Sequence, residues 1–205
     1  MSVATRATTA TTIAEAFRLT AEDFGDRVAV RTKDDEVSLT WGQLRERVDA
    51  LAGGLAELGV RKGDNVALML SNRPEFHIAD LAVMTLGATP FSIYGTFSPE
   101  QIAYVVGDAG ARVALIESAF ADAFRAADTA VEHVLVVEEG WPAVEGFDAE
   151  PHWRAVGPED VVTLIYTSGT TGPPKGVQLV HRNLTAATRI TESIIQFPEG
   201  AKVIS

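Results

Sequence analysis

The segment of residues 166–176 holds the residue types best suited to chemistry. It has the sequence Tyr-Thr-Ser-Gly-Thr-Thr-Gly-Pro-Pro-Lys-Gly. Glycines at 169, 172 and 176 let the backbone turn tightly and approach a ligand closely. Hydroxyl side chains at 167, 168, 170 and 171 can donate hydrogen bonds, Lys175 adds a positive charge, and backbone N–H groups in such a loop can surround an anion. This combination favours the binding of a polyphosphate.

The loop differs from the common phosphate-binding loop of nucleotide hydrolases. That loop needs a second glycine five residues after the first, but Pro174 stands five residues after Gly169, and Lys175 is followed by Gly176. Two consecutive prolines oppose an immediate helix, and residues 177–180 have the pattern of a strand. We therefore predict a loop that joins two strands. On composition alone, a simple turn rich in glycine and proline is the alternative.

Other candidate sites are weaker. Ser168 does not fit a nucleophile elbow, because Tyr166 occupies the position of its first glycine. No dinucleotide-binding glycine pattern follows any predicted strand, and the histidines lack the close spacing of metal ligands. His181 directly follows the second strand of the loop, so two interpretations stay open: it lines the site, or it is structural.

The elements that must position this loop alternate between helices and short apolar strands. Strands are predicted at 65–70, 89–93, 112–117, 133–137 and 160–166, and helices at 41–58, 74–86, 119–130 and from Ser98 onward. The pattern predicts an α/β fold with a mostly parallel, doubly wound sheet and flanking helices. Residues 28–32 and 36–40 form two further strands, and a helix begins after Thr12. Residues 1–11 are predicted to be a flexible leader, and residues 138–158 a long surface connection.

Composition excludes several classes of function. The 205 residues carry a net charge of −11, which disfavours binding to nucleic acid or to an anionic membrane by bulk charge. Cysteine is absent, so disulfides, thiolate metal sites and a cysteine nucleophile are excluded. No secretory signal and no apolar stretch long enough to span a bilayer is present. We expect a cytoplasmic protein, with a peripheral membrane location as an alternative for the parent enzyme.

Residues 166–176 resemble the signature phosphate loop of the AMP-forming adenylating enzymes, which include acyl-CoA synthetases, luciferases and the adenylation domains of peptide synthetases. The match is contiguous and extends to His181 and Asn183. Further upstream, Leu-Thr-Trp-Gly-Gln-Leu at 39–44, Gly-Val-Arg-Lys-Gly-Asp at 59–64, Asn-Arg-Pro-Glu at 72–75 and Leu-Gly-Ala-Thr-Pro-Phe-Ser-Ile at 86–93 resemble family landmarks in the expected order. The stretch at 94–104 is most similar to the branch that acts on long-chain fatty acids.

The resemblance implies a two-step reaction and a set of site residues. A carboxylate attacks the α-phosphorus of ATP to give an acyl-adenylate and pyrophosphate, and coenzyme A then takes the acyl group. The resemblance implies that seven residues hold the β- and γ-phosphates: Thr167, Ser168, Gly169, Thr170, Thr171, Gly172 and Lys175. Lys175 would act as a point charge, and Thr170 would also lie near a magnesium ion. The implied partner is a fatty acid, and no catalytic residue is assigned.

The family's other functional segments are absent from residues 182–205. These are the substrate-pocket strand, the Tyr-Gly-x-Thr-Glu segment, the ribose-binding aspartate, the hinge and the C-terminal lysine. We therefore interpret residues 12–205 as a partial N-terminal AMP-binding domain, incomplete and truncated, whose parent is the ligase and which is inactive alone. Two alternatives stay open: a catalytically incompetent nucleotide-binding or interaction module, or a fragment specific for an aryl or amino acid. Val203-Ile-Ser205 resembles a strand cut short, which predicts uncovered apolar faces and self-association.

Overall fold

The computed structural model describes residues 6–33, 35–167 and 173–195. The helices are α1 (Ile13–Asp23), α2 (Trp41–Glu57), α3 (Pro74–Thr85), α4 (Pro99–Ala109), α5 (Ala121–Ala126), α6 (Glu150–Arg154) and α7 (His181–Ile194). The strands are β1 (Val28–Arg31), β2 (Ser38–Thr40), β3 (Asn65–Met69), β4 (Thr89–Ser92), β5 (Val113–Ile116), β6 (His133–Val136), β7 (Val161–Thr167) and β8 (Lys175–Val180).

The main sheet has six strands in the order β6-β5-β3-β4-β7-β8. All neighbouring pairs from β6 to β7 are parallel, and β8 alone runs antiparallel to β7. The prediction of a mostly parallel, doubly wound α/β sheet is therefore confirmed. β1 and β2 form a separate antiparallel pair.

Helices cover both faces of this sheet. Successive residues of a strand point to opposite faces, so one strand can contribute to the core on each side. Along β3, Val66 and Leu68 join a core cluster that also contains buried residues of α1, α2 and α3. Ala67 and Met69 join a second cluster with buried residues of α4 and α5. β3 is thus buried on both faces, as its continuous apolar sequence requires.

Capping residues begin several helices where the sequence places them. Thr40 and Ser98 each form a capping box with a glutamine three residues later, and the Thr12 side chain accepts from the backbone N–H of Glu15. The helix predicted over 119–130 is shorter: a 3₁₀ turn at Ser118–Phe120 precedes α5, which ends at Ala126. Its predicted last turn is replaced by a left-handed residue, Asp128, at φ 47°.

Residues 138–158 pack closely against α2 and contain α6. A Cβ on Gly53 would lie 2.7 Å from the Val144 side chain, and one on Gly54 would lie 2.2 Å from the Pro142 carbonyl oxygen. These two glycines therefore let the connection approach the helix backbone.

The described part of the N-terminal segment contacts the fold. Residues Arg6–Thr9 form a 3₁₀ turn, and Arg6 pairs with Glu22 and Asp23 near the end of α1. Ala10 is buried, and its carbonyl accepts a 2.9 Å hydrogen bond from Nη2 of Arg189 in α7. Contacts with α1 and α7 thus hold residues 6–10 of the predicted flexible leader.

Candidate functional site

The loop predicted to bind phosphate lies between β7 and β8. β7 is parallel to β4, with Phe91 opposite Leu164, so Thr167 ends it at the carboxyl edge of the sheet. In open α/β sheets this edge is where ligands bind. β8 returns antiparallel, and Thr167 lies opposite Lys175. The predicted strands on either side of the loop are confirmed, whereas the predicted site residues Ser168, Gly169, Thr170, Thr171 and Gly172 lie outside the described residues.

Thr167 and Lys175 are both exposed at the open end of this hairpin. The Lys175 ammonium makes no ion pair, and the Thr167 hydroxyl no hydrogen bond, with any described residue. A cation and a hydroxyl without protein partners can both donate to the oxygens of an anion. The two described members of the predicted site are therefore brought together by strand pairing and left available.

Tyr166 points to the opposite side of the hairpin from these two residues. Its ring is buried, lies 5.8 Å from the Phe91 ring between centroids, and belongs to the core cluster that α4 covers. Its hydroxyl donates a 2.8 Å hydrogen bond to Oδ2 of Asp108 in α4. Burial, with the neighbouring Asp108 carboxylate, raises the pKa of Tyr166, so its hydroxyl stays protonated and remains a donor.

An arginine–carboxylate network occupies the same edge of the sheet, and sequence reasoning missed it. Arg73 Nε lies 2.8 Å from Glu75 and its Nη1 lies 2.6 Å from Glu138, just after β6. Glu117, after β5, accepts from both the backbone N–H and the hydroxyl of Ser71. These contacts join the loops that follow β3, β5 and β6.

The charged groups of this network are paired with one another. The Ser118 backbone N–H and the Arg73 guanidinium lower the pKa of Glu138 to about 2, so this carboxylate is ionised at neutral pH. Arg73 is paired with carboxylates and is not available to a phosphate, in contrast to Lys175. Asn-Arg-Pro-Glu at 72–75 was the only signal in the sequence, and it gave no indication of partners 40 or more residues away.

His181 has a structural role at the opposite end of β8. It is 1% exposed, and its Nδ1 accepts a hydrogen bond from the backbone N–H of Ile13 at 3.0 Å. Burial lowers the pKa of His181 to about 4, so the imidazole is neutral and Nδ1 can accept. The geometry therefore favours the structural interpretation over a residue that lines the site.

Among residues 6–33, 35–167 and 173–195, no group of three or more histidine or acidic side chains could hold a metal ion. Thr170, predicted to lie near magnesium, is outside these ranges. Magnesium usually keeps several waters and binds through one or two carboxylates plus substrate phosphates. The same part of the chain holds no helix with the length and apolar character needed to cross a membrane.

Comparison with known proteins gives one family. The family model described as AMP-binding enzyme matches residues 17–204. An uncharacterised protein of Mycobacterium tuberculosis is 42% identical over 133 residues, which are 65% of this chain and 76% of that protein. The acetyl-coenzyme A synthetase of Streptomyces coelicolor is 36% identical in an alignment of 183 positions that covers 75% of this chain and 28% of the synthetase.

A solved structure supports the fold. The long-chain-fatty-acid–CoA ligase of Archaeoglobus fulgidus superposes with a TM-score of 0.72 at 27% identity, over 88% of this chain and 39% of the ligase. This chain therefore corresponds to the N-terminal part of the large domain of adenylating enzymes. It spans well under half the length of the synthetase and of the ligase.

Proposed function

Because the chain belongs to the AMP-binding enzyme family, we propose that it is the polyphosphate-binding N-terminal portion of an ATP-dependent, AMP-forming acyl-CoA ligase. The parent would activate a fatty acid as its acyl-adenylate and transfer the acyl group to coenzyme A. The observation that carries the proposal is the hairpin β7–β8, which places Thr167 and Lys175 side by side at the carboxyl edge of a parallel sheet, without a side-chain partner among the described residues.

In this proposal the chain positions and neutralises phosphates and makes no covalent bond. Lys175 would approach the β- and γ-phosphates as a point charge, and the Thr167 hydroxyl would donate to a phosphate oxygen. Ser168, Gly169, Thr170, Thr171 and Gly172 would supply further N–H and hydroxyl donors, with Thr170 also near magnesium. Bound ATP would supply the electrophilic α-phosphorus. Such positioning accounts for most of the catalysis in phosphoryl chemistry.

The fatty-acid assignment rests on resemblance. Residues 94–104 are similar to the long-chain branch, and a long-chain-fatty-acid–CoA ligase is among the structural relatives. The similarity to an acetyl-coenzyme A synthetase supports the ligase class but does not support a long acyl chain in the substrate. Assaying a full-length parent with acetate, a C16 fatty acid and benzoate would decide among these substrate classes. A preference for acetate or benzoate would contradict the fatty-acid assignment.

The polyphosphate site can be tested on this chain directly. We expect inorganic pyrophosphate with MgCl₂ to bind in a calorimetric titration, and K175A to weaken that binding about tenfold, because one charge-assisted contact is lost. The matched control is K33A, since Lys33 is an exposed lysine near the β1–β2 turn. Equal affinities for K175A and wild type would refute the assignment.

Catalysis should need more than this chain. We expect no carboxylate-dependent ATP–pyrophosphate exchange from the 205 residues alone, and we expect T170A together with K175A to slow adenylation in a full-length parent. Robust exchange by the chain alone would contradict the view that further segments of the parent are essential.

A second candidate, an interaction module, is favoured by exposed apolar residues on β8 and α7. Val177, Ile190 and Ile194 are 44%, 60% and 75% exposed. Exposed apolar patches of this kind promote association. Light scattering should detect concentration-dependent self-association, reduced in V177S/I194S; a monomer at all concentrations would count against this candidate.

A further inference from the structure

Two residues of the loop signature, Tyr166 and Gly176, remain unexplained by phosphate binding. They lie opposite each other across β7 and β8, one position before Thr167 and one after Lys175. Tyr166 points into the core cluster that α4 covers, and its ring lies close to the backbone of Gly176, where a side chain would crowd it. A Cβ on Gly176 would lie 3.2–3.3 Å from three atoms of the Tyr166 ring and hydroxyl.

We propose that Tyr166, Gly176 and Asp108 form a brace that positions Thr167 and Lys175 for the polyphosphate. The inference rests on the proposed function and extends it to residues that touch no ligand. The Tyr166 ring packs on Phe91, Gly176 admits that ring against β8, and the Tyr166 hydroxyl ties the hairpin to Asp108 in α4.

The hairpin needs such a brace because of its place in the sheet. β8 is last in the strand order, and its residues 175–178 are exposed or nearly so, so β7 is its only strand partner among the described residues. β7 pairs with β4 at Leu164, three residues before Thr167, whereas the β7–β8 ladder continues to Thr167 and Lys175. A two-stranded ladder alone is marginally stable, so the open end of the hairpin gains from a further contact. The 2.8 Å hydrogen bond from Tyr166 adds a contact to a helix one residue before Thr167.

Asp108 is poorly placed for the stability of its own helix. It lies in the last turn of α4 (Pro99–Ala109), where the helix dipole disfavours a negative charge. The Asp108 side chain is exposed and makes no ion pair with any described residue. Among the described residues, its one side-chain hydrogen bond is the one that Tyr166 donates. The brace therefore gives a reason for an acid at this position that helix propensity does not.

The test compares brace variants with matched controls in pyrophosphate titration. Y166F removes the hydroxyl alone, and Y104F is its control, since Tyr104 is a 37% exposed tyrosine of α4 that does not make the hydrogen bond to Asp108. G176A adds a Cβ against the ring, and G107A is its control, since a Cβ there meets nothing within 4 Å. D108A removes the acceptor, and D108N restores an oxygen that can accept.

We expect Y166F and D108A each to weaken pyrophosphate binding about fivefold and the double variant to be no worse than either, because both remove one hydrogen bond. G176A should weaken binding more, D108N should recover most of the affinity, and both controls should stay within about twofold of wild type. Y166F binding pyrophosphate as tightly as Y104F would overturn the brace.

Hydrogen–deuterium exchange separates failure of the brace from failure of the proposed function. Peptides that cover 161–167 and 173–180 should exchange faster in Y166F and D108A than in Y104F, without ligand. If wild type binds no pyrophosphate, the proposed function fails, and exchange alone decides the brace: faster exchange supports it, and exchange equal to that of Y104F refutes it.

Discussion

The imidazole Nδ1 of His181 accepts a hydrogen bond from the backbone N–H of Ile13, at 3.0 Å. Ile13 is the first residue of α1, and the first N–H groups of a helix have no partner within it. A side chain 168 positions away along the chain therefore caps α1 and joins the N-terminal segment to the start of α7. The bond requires a neutral imidazole, which makes stability depend on pH.

The first prediction concerns that pH dependence. Because burial lowers the pKa of His181 from 6.5 to about 4, the unfolded chain binds more protons between these values, and stability falls as pH falls below 6.5. When the pH is lowered from 7 to 5, protonation linked to His181 should lower the free energy of unfolding by about 2 kcal/mol. Urea unfolding of wild type and H181N across this range measures it, since asparagine offers an acceptor but does not titrate.

The difference between the two proteins is the informative quantity, because other groups titrate equally in both. H181N should lose less stability than wild type on acidification. Parallel curves for the two proteins would show that His181 is not the buried neutral group described here.

The second prediction concerns Arg189, which donates from Nη2 to the Ala10 carbonyl at 2.9 Å. R189A should lower the unfolding free energy by about 1 kcal/mol and speed hydrogen exchange in α7, because a part-buried hydrogen bond is lost. R182A is the matched control on the same helix, since Arg182 pairs with exposed Glu159 and does not reach the N-terminal segment. Removal of residues 1–11 should reproduce the R189A effect; no effect would restore the view of a flexible leader.

Local sequence signals predicted most of the fold. The Thr40–Gln43 and Ser98–Gln101 spacings mark helix starts because each capping box closes within four residues. The buried strands were recognisable from short apolar runs, and the loop between β7 and β8 from its glycines and prolines. In each case the determining interaction lies close along the chain or repeats with a fixed period.

Long-range pairing accounts for what the sequence did not reveal. Arg73 pairs with nearby Glu75, but its other two partners, Glu117 and Glu138, are 44 and 65 positions away, and nothing in their local sequence marks them. His181 offered two interpretations because a histidine after a strand suits either, and only the approach of Ile13 decides between them. The docking of residues 6–10 likewise depends on α7.

The third prediction concerns Asp80, a carboxylate on α3 for which the described chain supplies no hydrogen bond or ion pair. Burial raises its pKa from 3.8 to about 7, so the folded state binds the proton more tightly and stability is lost as pH rises from about 4 to 7. D80N should therefore be more stable than wild type at pH 8, and its advantage should be smaller at pH 5. Denaturant unfolding at the two pH values tests this.

The control for Asp80 is E46Q, which neutralises an exposed carboxylate on α2. It should change stability by less than about 0.5 kcal/mol at either pH, as surface substitutions usually do. D80N less stable than wild type at pH 8 would mean that the carboxylate has a favourable partner.

The fourth prediction concerns the buried ion pair of Arg18 and Asp49. Arg18 Nη1 lies 2.5 Å from Asp49 Oδ1, and its Nη2 donates to the Thr85 hydroxyl at 3.0 Å, so one guanidinium joins α1, α2 and α3. Burial lowers the pKa of Arg18 and raises that of Asp49, which means that desolvation outweighs their attraction for both charges. R18M should therefore cost about 3 kcal/mol, since it leaves Asp49 without its counter-charge.

Adding D49L to R18M tests whether the uncompensated charge of Asp49 causes the loss of stability. R18M/D49L should recover most of the lost stability, because replacing a buried pair by apolar side chains is often neutral, whereas breaking it is costly. Both variants and D49L are compared by urea unfolding in a double-mutant cycle. Additive losses would show that the two side chains act independently, so that Arg18 stabilises the three helices through Thr85 and packing on Phe17. A double variant close to wild type would show that the uncompensated charge causes the loss.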